Sequence, residues 1–344
     1  MGKVKKSVLK FIQRIKAIKS VFKYNDGRCN LLLNLQGYSS NRVYMYPDFK
    51  KNKKYYYKDF HRYYSYIVND KNQYIFTQLM SFFVFSNLTN YGKVLGVISK
   101  GEFIPYQNTN TNYDELFNLD KFVVKHILGG KGKYVYIINK IGNKYNVNSE
   151  IMDSIGLVKL LSKLNNYIVQ EFVEQHDYIK SIYDKSTNTI RVVTMREPNS
   201  NNIFIGWAAQ RIGTNNSAPF DNWSAGGISS EINIETGILS CAKYYNSTFK
   251  RTETYEKHPE TNAQIKGVKV PHWKQIINSL TYSHKCLPQI NFIAWDVVVT
   301  KESFTIIEVN NTSGVEHIQV HRPLLLDESI KKFFKFHGIV KKSL

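Results

Sequence analysis

Three oxygen-bearing side chains fall on two neighbouring strands that the sequence predicts near its C-terminus. The segments FIAWDVVVT and FTIIEVNNTSG place Asp296 on one strand, and Glu308 and Asn310 on the next. Because residues two apart on a strand point to the same face, Glu308 and Asn310 share a face. Apolar residues flank all three, and buried carboxylates are unfavourable without a partner. Two carboxylates and an amide oxygen suit Mg²⁺, so the pattern predicts a magnesium site. An exposed polar strand face is the alternative.

A glycine-rich loop with lysines follows another predicted strand, in the segment FVVKHILGGKGKYVY. Lys125 lies on the strand. The loop itself contains Gly129, Gly130, Lys131, Gly132 and Lys133. Backbone N–H groups of such a loop can cover phosphates, and the lysines add positive charge. The loop is not a Walker A motif, because neither loop lysine is followed by Ser or Thr. Phosphate binding and an ordinary hairpin both fit this segment on its own.

The segment DNWSAGG opens a predicted strand pair with polar side chains and two glycines. Asn222 offers an amide, and Gly226 and Gly227 lack the Cβ atom that keeps a ligand away from the backbone. A hairpin turn is predicted at 235–237. A β-bulge or a wide loop explains the two glycines equally well.

Two weaker candidates for chemistry are a histidine pair and a cysteine. His317 and His321 are four residues apart, a spacing that can place two metal ligands on one helix face, but no third ligand is evident. Cys241 lacks a base that would activate it as a nucleophile.

The composition is that of a folded chain with excess positive charge. A length of 344 residues is enough for two or three packed units. Of these residues, 42% are hydrophobic and 22% are charged. The formal net charge of +20 favours an anionic partner: nucleic acid, anionic lipid or an acidic substrate. No apolar run reaches the roughly 20 residues that cross a bilayer. Three widely spaced cysteines fit neither a disulfide framework nor a zinc site, so a cytoplasmic location is expected.

The positive charge is concentrated near the N-terminus. Residues 3–23 carry apolar side chains at spacings of three and four, which predicts a basic amphipathic helix. Such a helix can lie on an anionic membrane surface, which would place the protein at the inner face of the membrane, or it can pack on the domain. The stretch 41–75 interleaves tyrosines with lysines. A surface with half-buried tyrosines is favoured over nucleic-acid binding, because no nucleic-acid module accompanies it.

The remaining chain reads as short strands with local hairpins and interspersed helices. Helical patterns cover 70–90, the segment EIMDSIGLVKLLSKL, 271–283 and the region from about Leu324. Strands are predicted at 96–99 and at several positions from 121 onward. This mixture predicts an α+β fold rather than a doubly wound parallel sheet.

In this order, these segments resemble the ATP-grasp family, and most closely its branch associated with sugar transfer and surface-polysaccharide gene clusters. The resemblance covers roughly Asp70 to Leu326. It rests on QEFVEQHDYIKSIYDKSTNTIRVVTMR, an R-I-G segment, DNWSAGG and a closing D…E-x-N pattern. It implies an ATP-grasp architecture, with the nucleotide between two α+β subdomains. The implied divisions are a basic N-terminal region (1–70), a pre-grasp segment (71–120), a lid and nucleotide-binding subdomain (121–175), and a catalytic metal- and substrate-binding subdomain (176–344).

The resemblance also implies roles for individual residues. For ATP it implies two phosphate-binding lysines, Lys71 and Lys125. It implies a lid formed by Gly129, Gly130, Gly132 and Lys133. It also implies a hinge that holds adenine and ribose, formed by Glu171, Phe172, Val173 and Glu174. At the reacting phosphate it implies Arg191, Arg211 and Asn222. Against the substrate it implies His176, Gly226 and Gly227, with His176 as a turn cap in the alternative. For Mg²⁺ it implies Asp296, Glu308 and Asn310.

The activity implied by the resemblance is ATP-dependent ligation of a carboxylate to an amine through an acyl phosphate, with release of ADP and phosphate. The expected substrates are an amino acid or amine and a sugar or lipid-linked saccharide, in the synthesis of a cell-surface polysaccharide such as capsule or O-antigen. One alternative is an ATP-grasp kinase that phosphorylates a saccharide hydroxyl. Another is a non-catalytic basic protein that binds membrane or nucleic acid.

Overall fold

The computed structural model describes residues 15, 31–39, 42–59, 61, 65, 68–106, 113–129, 134–246, 248–249 and 251–340, with only the backbone at 31, 70, 71 and 115. Apart from Ile15, the helix predicted at 3–23 lies outside the described residues. The predicted lid residues Gly130, Gly132 and Lys133 and the side chain of Lys71 also lie outside them.

The described chain contains short helices and fourteen strands. The helices are α1 (Leu31–Leu35), α2 (Phe49–Asn52), α3 (Gln78–Phe85), α4 (Asp114–Phe117), α5 (Ser154–Leu161), α6 (Asp177–Lys180), α7 (Trp273–Lys285), α8 (Glu316–Gln319) and α9 (Glu328–Phe336). The strands are β1 (Val94–Ser99), β2 (Glu102–Pro105), β3 (Lys121–His126), β4 (Val135–Ile141), β5 (Lys144–Val147), β6 (Glu150–Met152), β7 (Tyr167–Glu171), β8 (Ile190–Arg196), β9 (Ile203–Ile212), β10 (Ile228–Ile232), β11 (Leu239–Asn246), β12 (Arg251–Tyr255), β13 (Phe292–Val299) and β14 (Phe304–Asn310).

The strands form two antiparallel sheets. The first has the order β2-β1-β7-β3-β4-β5-β6. The second has the order β12-β11-β10-β9-β8-β13-β14. Local hairpins connect many neighbouring strands, as the sequence predicts. The predicted α+β fold class is therefore confirmed.

The second sheet is buried on both faces because its central strands alternate two sets of apolar side chains. On β13, Ile293 and Trp295 pack in the cluster that contains Ile276 and Leu280 of α7. Phe292 and Ala294 belong to a second cluster with side chains of α9. Successive side chains of a strand point to opposite faces, so one continuous apolar strand supplies both cores. The face toward α9 also carries the functional residues described below.

The two sheets meet along β14. The segment 90–92 pairs with this strand before it enters β1: Gly92 donates its N–H to the Ile306 carbonyl at 2.8 Å, and Ile306 donates back to Asn90 at 2.8 Å. Lys125 of β3 donates from Nζ to the Ile307 carbonyl at 2.7 Å. The first sheet is thus fixed at the edge of the second, where β14 carries Glu308 and Asn310.

The tyrosine-rich N-terminal stretch packs against the second sheet's side of the molecule. Tyr38, Tyr46 and Tyr56 form a buried cluster with Val320. The backbone of Tyr57 is held from both sides by Gln319: its N–H donates to Oε1 at 2.6 Å, and its carbonyl accepts from Nε2 at 3.0 Å. These tyrosines are buried more deeply than the predicted half-buried surface, because α8 supplies an apolar and hydrogen-bonding partner that local sequence does not show.

The helix predicted over 70–90 is divided in the structure. A 3₁₀ helix runs from Asp70 to Phe76, and α3 begins only after Thr77. Thr77 has extended backbone angles, and its hydroxyl accepts from the Met80 N–H at 3.4 Å. Threonine favours such an N-cap over a helix interior, so one periodic pattern becomes two helices.

Candidate functional site

A row of charged residues crosses three strands of the second sheet. Arg191 on β8 is the cross-strand partner of Asp296 on β13, and Asp296 is the partner of Glu308 on β14. Arg191 and Asp296 are 9% and 3% exposed. The strand pairing that places apolar side chains in register therefore also places three charged groups side by side.

Two arginines compensate the charge of Asp296. Arg191 binds it through two nitrogens, with Nη2 donating to Oδ2 at 2.9 Å and Nε donating to Oδ1. Arg211 on β9 donates from Nη2 to Oδ2 of Asp296 at 3.3 Å and lies 3.2 Å from Oδ1 of Asp221. The remaining Arg191 nitrogen, Nη1, donates to Ser313 at 3.0 Å. A bidentate arginine–carboxylate pair has a fixed geometry, so Asp296 holds the Arg191 guanidinium in place, and Asp296 and Asp221 together hold that of Arg211.

The two neighbouring carboxylates have opposite pKa shifts. Burial alone would raise the pKa of Asp296, but the charges of Arg191 and Arg211 hold it below its ordinary value. Burial and the negative charge of Asp296 raise the pKa of Glu308, although Lys125 and both arginines oppose that shift. The ionised form of Glu308 is therefore the less well compensated of the two, and a cation beside it would be stabilised.

Lys125 reaches the same row from the first sheet. Its side chain is 9% exposed, and burial lowers its pKa to about 8, against the opposing charges of Glu308 and Asp296. Its hydrogen bond to the Ile307 carbonyl directs the ammonium toward the junction of the two sheets. A compact positive charge at this junction suits a phosphate group.

The row opens into a cavity of about 700 Å³. Seven of the predicted site residues line it: Gly226, and the side chains of Arg191, Arg211, Asn222, Asp296, Glu308 and Asn310. The left-handed φ of Gly226, 109°, is a conformation that favours glycine. The structure thus brings together side chains from β8, β9, β13 and β14 and from the loop that follows β9.

The donor set at one end of this cavity fits Mg²⁺. Glu308, Asp296 and Asn310 offer only oxygen ligands, and Mg²⁺ is bound by one or two carboxylates together with phosphate and water. Among the described residues, no group of three His, Cys, Asp or Glu side chains could hold a metal. The Nδ2 atom of Asn310 is buried without a hydrogen-bond partner in the described part of the chain, so its amide is not committed elsewhere.

The predicted hinge lies at the end of β7. Lys93 contacts Glu171 at 2.7 Å between Nζ and Oε1, and Glu171 donates its N–H to the Lys93 carbonyl at 3.0 Å. Phe172 lies under the ammonium of Lys121, 3.5 Å from its ring centroid. Glu174 is largely exposed, 3.8 Å from Lys121. Val173 is half-buried between them. These residues form a charged, partly exposed segment at the end of β7, a central strand of the first sheet. Gly129 follows β3 at the start of the predicted lid.

Two predicted substrate-binding residues do not line the cavity. His176 is the N-cap of α6, where its Nδ1 accepts the N–H of Tyr178 at 3.0 Å, so the alternative of a turn cap describes its position. Gly227 is buried, and a Cβ atom on it would lie 2.6 Å from the Asp221 carbonyl oxygen. Close backbone packing, rather than an approaching ligand, therefore explains this second glycine.

Several residues that line or support the cavity were not predicted from the sequence. Asp221, the first residue of DNWSAGG, accepts the N–H of Thr189 at 2.7 Å and the Thr189 hydroxyl at 2.6 Å while it contacts Arg211. Its place in that motif was the available signal. Other missed residues line the cavity itself, among them Arg42, Asn216, Trp223, Tyr244, Tyr245, Glu316 and His317. Of these, only His317 was considered, as a metal ligand.

Two antiparallel sheets joined at an edge, with a lysine from the first reaching a carboxylate row on the second, form the arrangement expected of an ATP-grasp protein. The sequence matches the sugar-transfer-associated ATP-grasp family over residues 50–333. The chain belongs to this family. The predicted family assignment is confirmed. The matched region begins at residue 50, so Arg42 of the cavity wall lies eight residues before it.

Solved structures with a similar fold include several ligases and synthetases. One is an ADP complex of N5-carboxyaminoimidazole ribonucleotide synthetase, with 12% identity, a TM-score of 0.41, and coverage of 72% of this chain and 50% of that one. Another is D-alanyl-alanine synthetase A from Vibrio cholerae, with 11% identity, a TM-score of 0.43, and coverage of 79% and 65%. A third is an L-amino acid ligase from Bacillus licheniformis, with 10% identity, a TM-score of 0.39, and coverage of 77% and 49%. The chain spans 45% to 65% of the length of such structures. No curated protein matches the sequence. Within the described residues, none of the helices has the length and apolar character needed to span a bilayer.

Proposed function

We propose that this protein is an ATP-dependent carboxylate–amine ligase. The observation that carries the proposal is the row of Arg191, Asp296 and Glu308, which opens into a large cavity and is reached by Lys125. Positive groups aimed at one point, with no activated protein nucleophile among the described residues of the cavity, suit phosphoryl transfer between bound substrates.

The proposed reaction has two steps. A carboxylate oxygen of the first substrate attacks the γ-phosphorus of ATP, the bond to the β–γ bridging oxygen breaks, and ADP leaves. An amine then attacks the carbonyl carbon of the acyl phosphate, the carbon–oxygen bond to phosphate breaks, and the amine loses a proton as the amide forms. Phosphate leaves with the oxygen that came from the carboxylate.

The residues have distinct proposed roles in these steps. Lys125 binds phosphate oxygens of the nucleotide from the first sheet, and Lys71 and the lid residues Gly129, Gly130, Gly132 and Lys133 complete its phosphate site. Arg191 and Arg211 are held rigidly by Asp296 and Asp221, so they stabilise charge on the transferred group without reorganisation. Asn222 lies in the same wall and supplies an amide donor. The hinge at 171–174 receives adenine and ribose.

Glu308, Asp296 and Asn310 are the residues that would hold Mg²⁺. The ion would neutralise phosphate charge and act as a Lewis acid toward the transferred group. The raised pKa of Glu308 supports this role, because an uncompensated carboxylate at this position gains the most from a cation.

The lining of the cavity supports a saccharide as one substrate. It is lined by the aromatic side chains of Trp223, Tyr244 and Tyr245 together with the amides of Asn216 and Asn222. Aromatic faces with nearby polar groups fit a ring that is apolar on one face and bears hydroxyls at its edge. We infer that an amino acid or amine is joined to a sugar or lipid-linked saccharide, in line with polysaccharide synthesis.

The proposal is tested by turnover with defined substrates. Purified protein with Mg-ATP is offered pairs drawn from uronic acids, amino acids and amino sugars, and ADP release is recorded with mass spectrometry of the products. The expected result is a new amide and ADP release that needs both a carboxylate and an amine. A phosphorylated saccharide without an amide would show that the protein is a kinase rather than a ligase.

A further inference from the structure

The N-terminal stretch supplies part of the cavity wall. Arg42 and Met45 both line the cavity, although they lie before residue 50, where the family match begins. The Met45 carbonyl accepts from the Thr252 hydroxyl on β12 at 3.0 Å, so this stretch is hydrogen-bonded to the second sheet. The wall is therefore built in part from a segment that the family match does not cover.

Two aromatic side chains of the cavity rest on the same stretch. Trp223 and Tyr245 line the cavity, and both pack against the buried cluster that contains Tyr38, Tyr46 and Tyr56. An aromatic ring in a cavity wall suits the apolar face of a saccharide ring. The N-terminal stretch thus supports two of the rings that are proposed to contact the saccharide.

Arg42 is fixed in the wall by two carboxylates. Its Nη1 atom lies 2.7 Å from Oδ1 of Asp59 and 2.5 Å from Oε1 of Glu316 on α8. Asp59 also accepts the N–H of Ser39 at 2.7 Å. Although the guanidinium is anchored in this way, 36% of the Arg42 side chain remains exposed. Within the described part of the chain, Nε and Nη2 make no hydrogen bond, so they remain as donors for a ligand.

The charges around Arg42 favour a neutral polar ligand over a phosphate. The negative charge of Glu316, and to a smaller extent that of Asp59, raises the pKa of Arg42 against the effect of burial. A phosphate at this place would meet two carboxylates for one guanidinium. A sugar hydroxyl both donates and accepts hydrogen bonds, so it can accept from the guanidinium and donate to a neighbouring carboxylate oxygen.

We propose that Arg42 binds hydroxyl groups of a saccharide substrate whose ring packs against Trp223 and Tyr245. This inference rests on the proposed function, because it assigns the recognition of one proposed substrate to a particular residue. Arg42 is a substrate-contacting residue that determines specificity, and it takes no part in phosphoryl transfer. The N-terminal stretch therefore belongs to the substrate site.

The first test measures saccharide binding by Arg42→Lys. Lysine keeps the positive charge between Asp59 and Glu316 but lacks the planar set of donors. Titration calorimetry with Mg²⁺ and the β,γ-methylene analogue of ATP follows the binding of D-glucuronate, D-galacturonate, D-glucosamine and D-galactosamine. The Kd of each saccharide that binds is expected to rise roughly 10- to 100-fold in the variant, the effect of a lost hydrogen bond to a charged group. The Kd of the ATP analogue is expected to stay unchanged.

Arg322→Lys is the matched control for this test. The Arg322 side chain is 32% exposed, and its Nε atom lies 2.5 Å from Oε1 of Glu231, but Arg322 is not among the described residues that line the cavity. The control is expected to keep the wild-type saccharide Kd. An unchanged Kd in Arg42→Lys would show that Arg42 only joins the N-terminal stretch to α8, and would overturn the proposal. Failure of all four saccharides to bind the wild type would also overturn it.

The second test uses turnover, and it separates recognition from a general loss of stability in Arg42→Lys. ADP release is measured with a sugar probe and with a ring-free probe that has the same reactive group. D-glucuronate is compared with glycolate as the carboxylate, and D-glucosamine is compared with ethanolamine as the amine. The variant is expected to lose roughly 10- to 100-fold in kcat/KM for the sugar probe and to keep its kcat/KM for the ring-free probe. Equal losses for both probes would contradict recognition of the saccharide.

The outcomes separate this inference from the proposed function. If wild-type ADP release requires a carboxylate and an amine but does not favour the sugar probes, only the saccharide subsite at Arg42 is overturned. If saccharide binding depends on Arg42 but ADP release requires no amine, the ligase function fails and the saccharide subsite stands.

Discussion

Asp296 and Glu308 face each other across β13 and β14, but only Asp296 is held by arginines. Arg191 and Arg211 lower the pKa of Asp296, whereas burial and Asp296 itself raise the pKa of Glu308. This asymmetry divides the pair into a carboxylate that also fixes two guanidinium groups and one whose negative charge is less well compensated, so that it gains more from a cation.

Glu308→Gln is therefore expected to separate activity from stability. Turnover should fall by roughly 100- to 1,000-fold or more, because one charge is lost where transition-state charge develops. The increase in Tm that Mg-ATP gives the wild type should shrink to that seen with ATP and EDTA. Calorimetry and coupled ADP detection measure the two effects.

The ligand-free variant provides the control. A folded-state pKa that is raised means that stability falls as pH rises from the ordinary carboxyl pKa through the raised value. Glutamine does not titrate, so the Tm of the variant should match or exceed that of the wild type at pH 7. The difference in Tm should vanish at about pH 4, where Glu308 is protonated. A variant that unfolds at neutral pH would show that Glu308 is structural.

Lys125 is expected to make nucleotide affinity depend on pH. Because burial lowers its pKa to about 8, its positive charge is lost as pH rises through that value, and Mg-ATP affinity should fall. Lys125→Arg keeps its charge throughout this range, so its affinity should be nearly flat from pH 7 to pH 9. Titration calorimetry at several pH values checks this, and parallel profiles for the two proteins would contradict the role of Lys125.

Gly227→Ala is expected to destabilise the fold without a direct effect on ligands. The new Cβ atom would lie 2.6 Å from the Asp221 carbonyl oxygen, a backbone atom that cannot easily move. The free energy of unfolding should fall by about 1–3 kcal/mol, as for overpacking in a core. Chemical denaturation measures this, with Gly142→Ala for comparison, since a Cβ at Gly142 meets no atom within 4 Å. Because Gly142 has a φ of 58°, the comparison separates contact from backbone strain. A loss of less than about 0.5 kcal/mol in Gly227→Ala, the range of an ordinary surface substitution, would remove the steric explanation.

The basic segment 3–23 remains a prediction from sequence alone. Its one-sided apolar stripe is expected to bind anionic membranes, so removal of residues 1–23 should abolish co-sedimentation with vesicles rich in phosphatidylserine and leave Mg-ATP binding unchanged. Neutral phosphatidylcholine vesicles serve as the control. Equal sedimentation of the two proteins would favour a helix packed on the domain.

The strands of the carboxylate pair could be predicted from sequence because their connection is local. Two apolar strands joined by a short connection form a hairpin, and the sequence places Asp296 and Glu308 on its two strands. A β-bulge between Asp296 and Val297 shifts the pairing by one residue and brings Asp296 opposite Glu308, which the spacing alone does not show. The fold class follows from similar patterns of hairpins and helices. Among the predicted residues that line the cavity, Asp296, Glu308 and Asn310 followed from the strand pattern, whereas the roles of Arg191, Arg211 and Asn222 followed from the resemblance to the family.

The part of the cavity wall that contains Arg42 and His317 could not be predicted in the same way. Arg42 and His317 meet there because the N-terminal stretch packs on α8, a contact between segments more than 250 residues apart that leaves no periodic signal. His176 and Gly227 show the converse. Their motif positions indicated substrate contact, but helix capping and close backbone packing account for them.

The path of one oxygen atom tests the central claim most directly. A carboxylate substrate identified by ADP release is labelled with ¹⁸O in its carboxyl group, and the products of turnover are analysed by mass spectrometry. Passage through an acyl phosphate transfers one labelled oxygen from the carboxylate to inorganic phosphate for each amide formed, with ADP as the nucleotide product. Unlabelled phosphate, or label in AMP with release of pyrophosphate, would contradict the proposed mechanism.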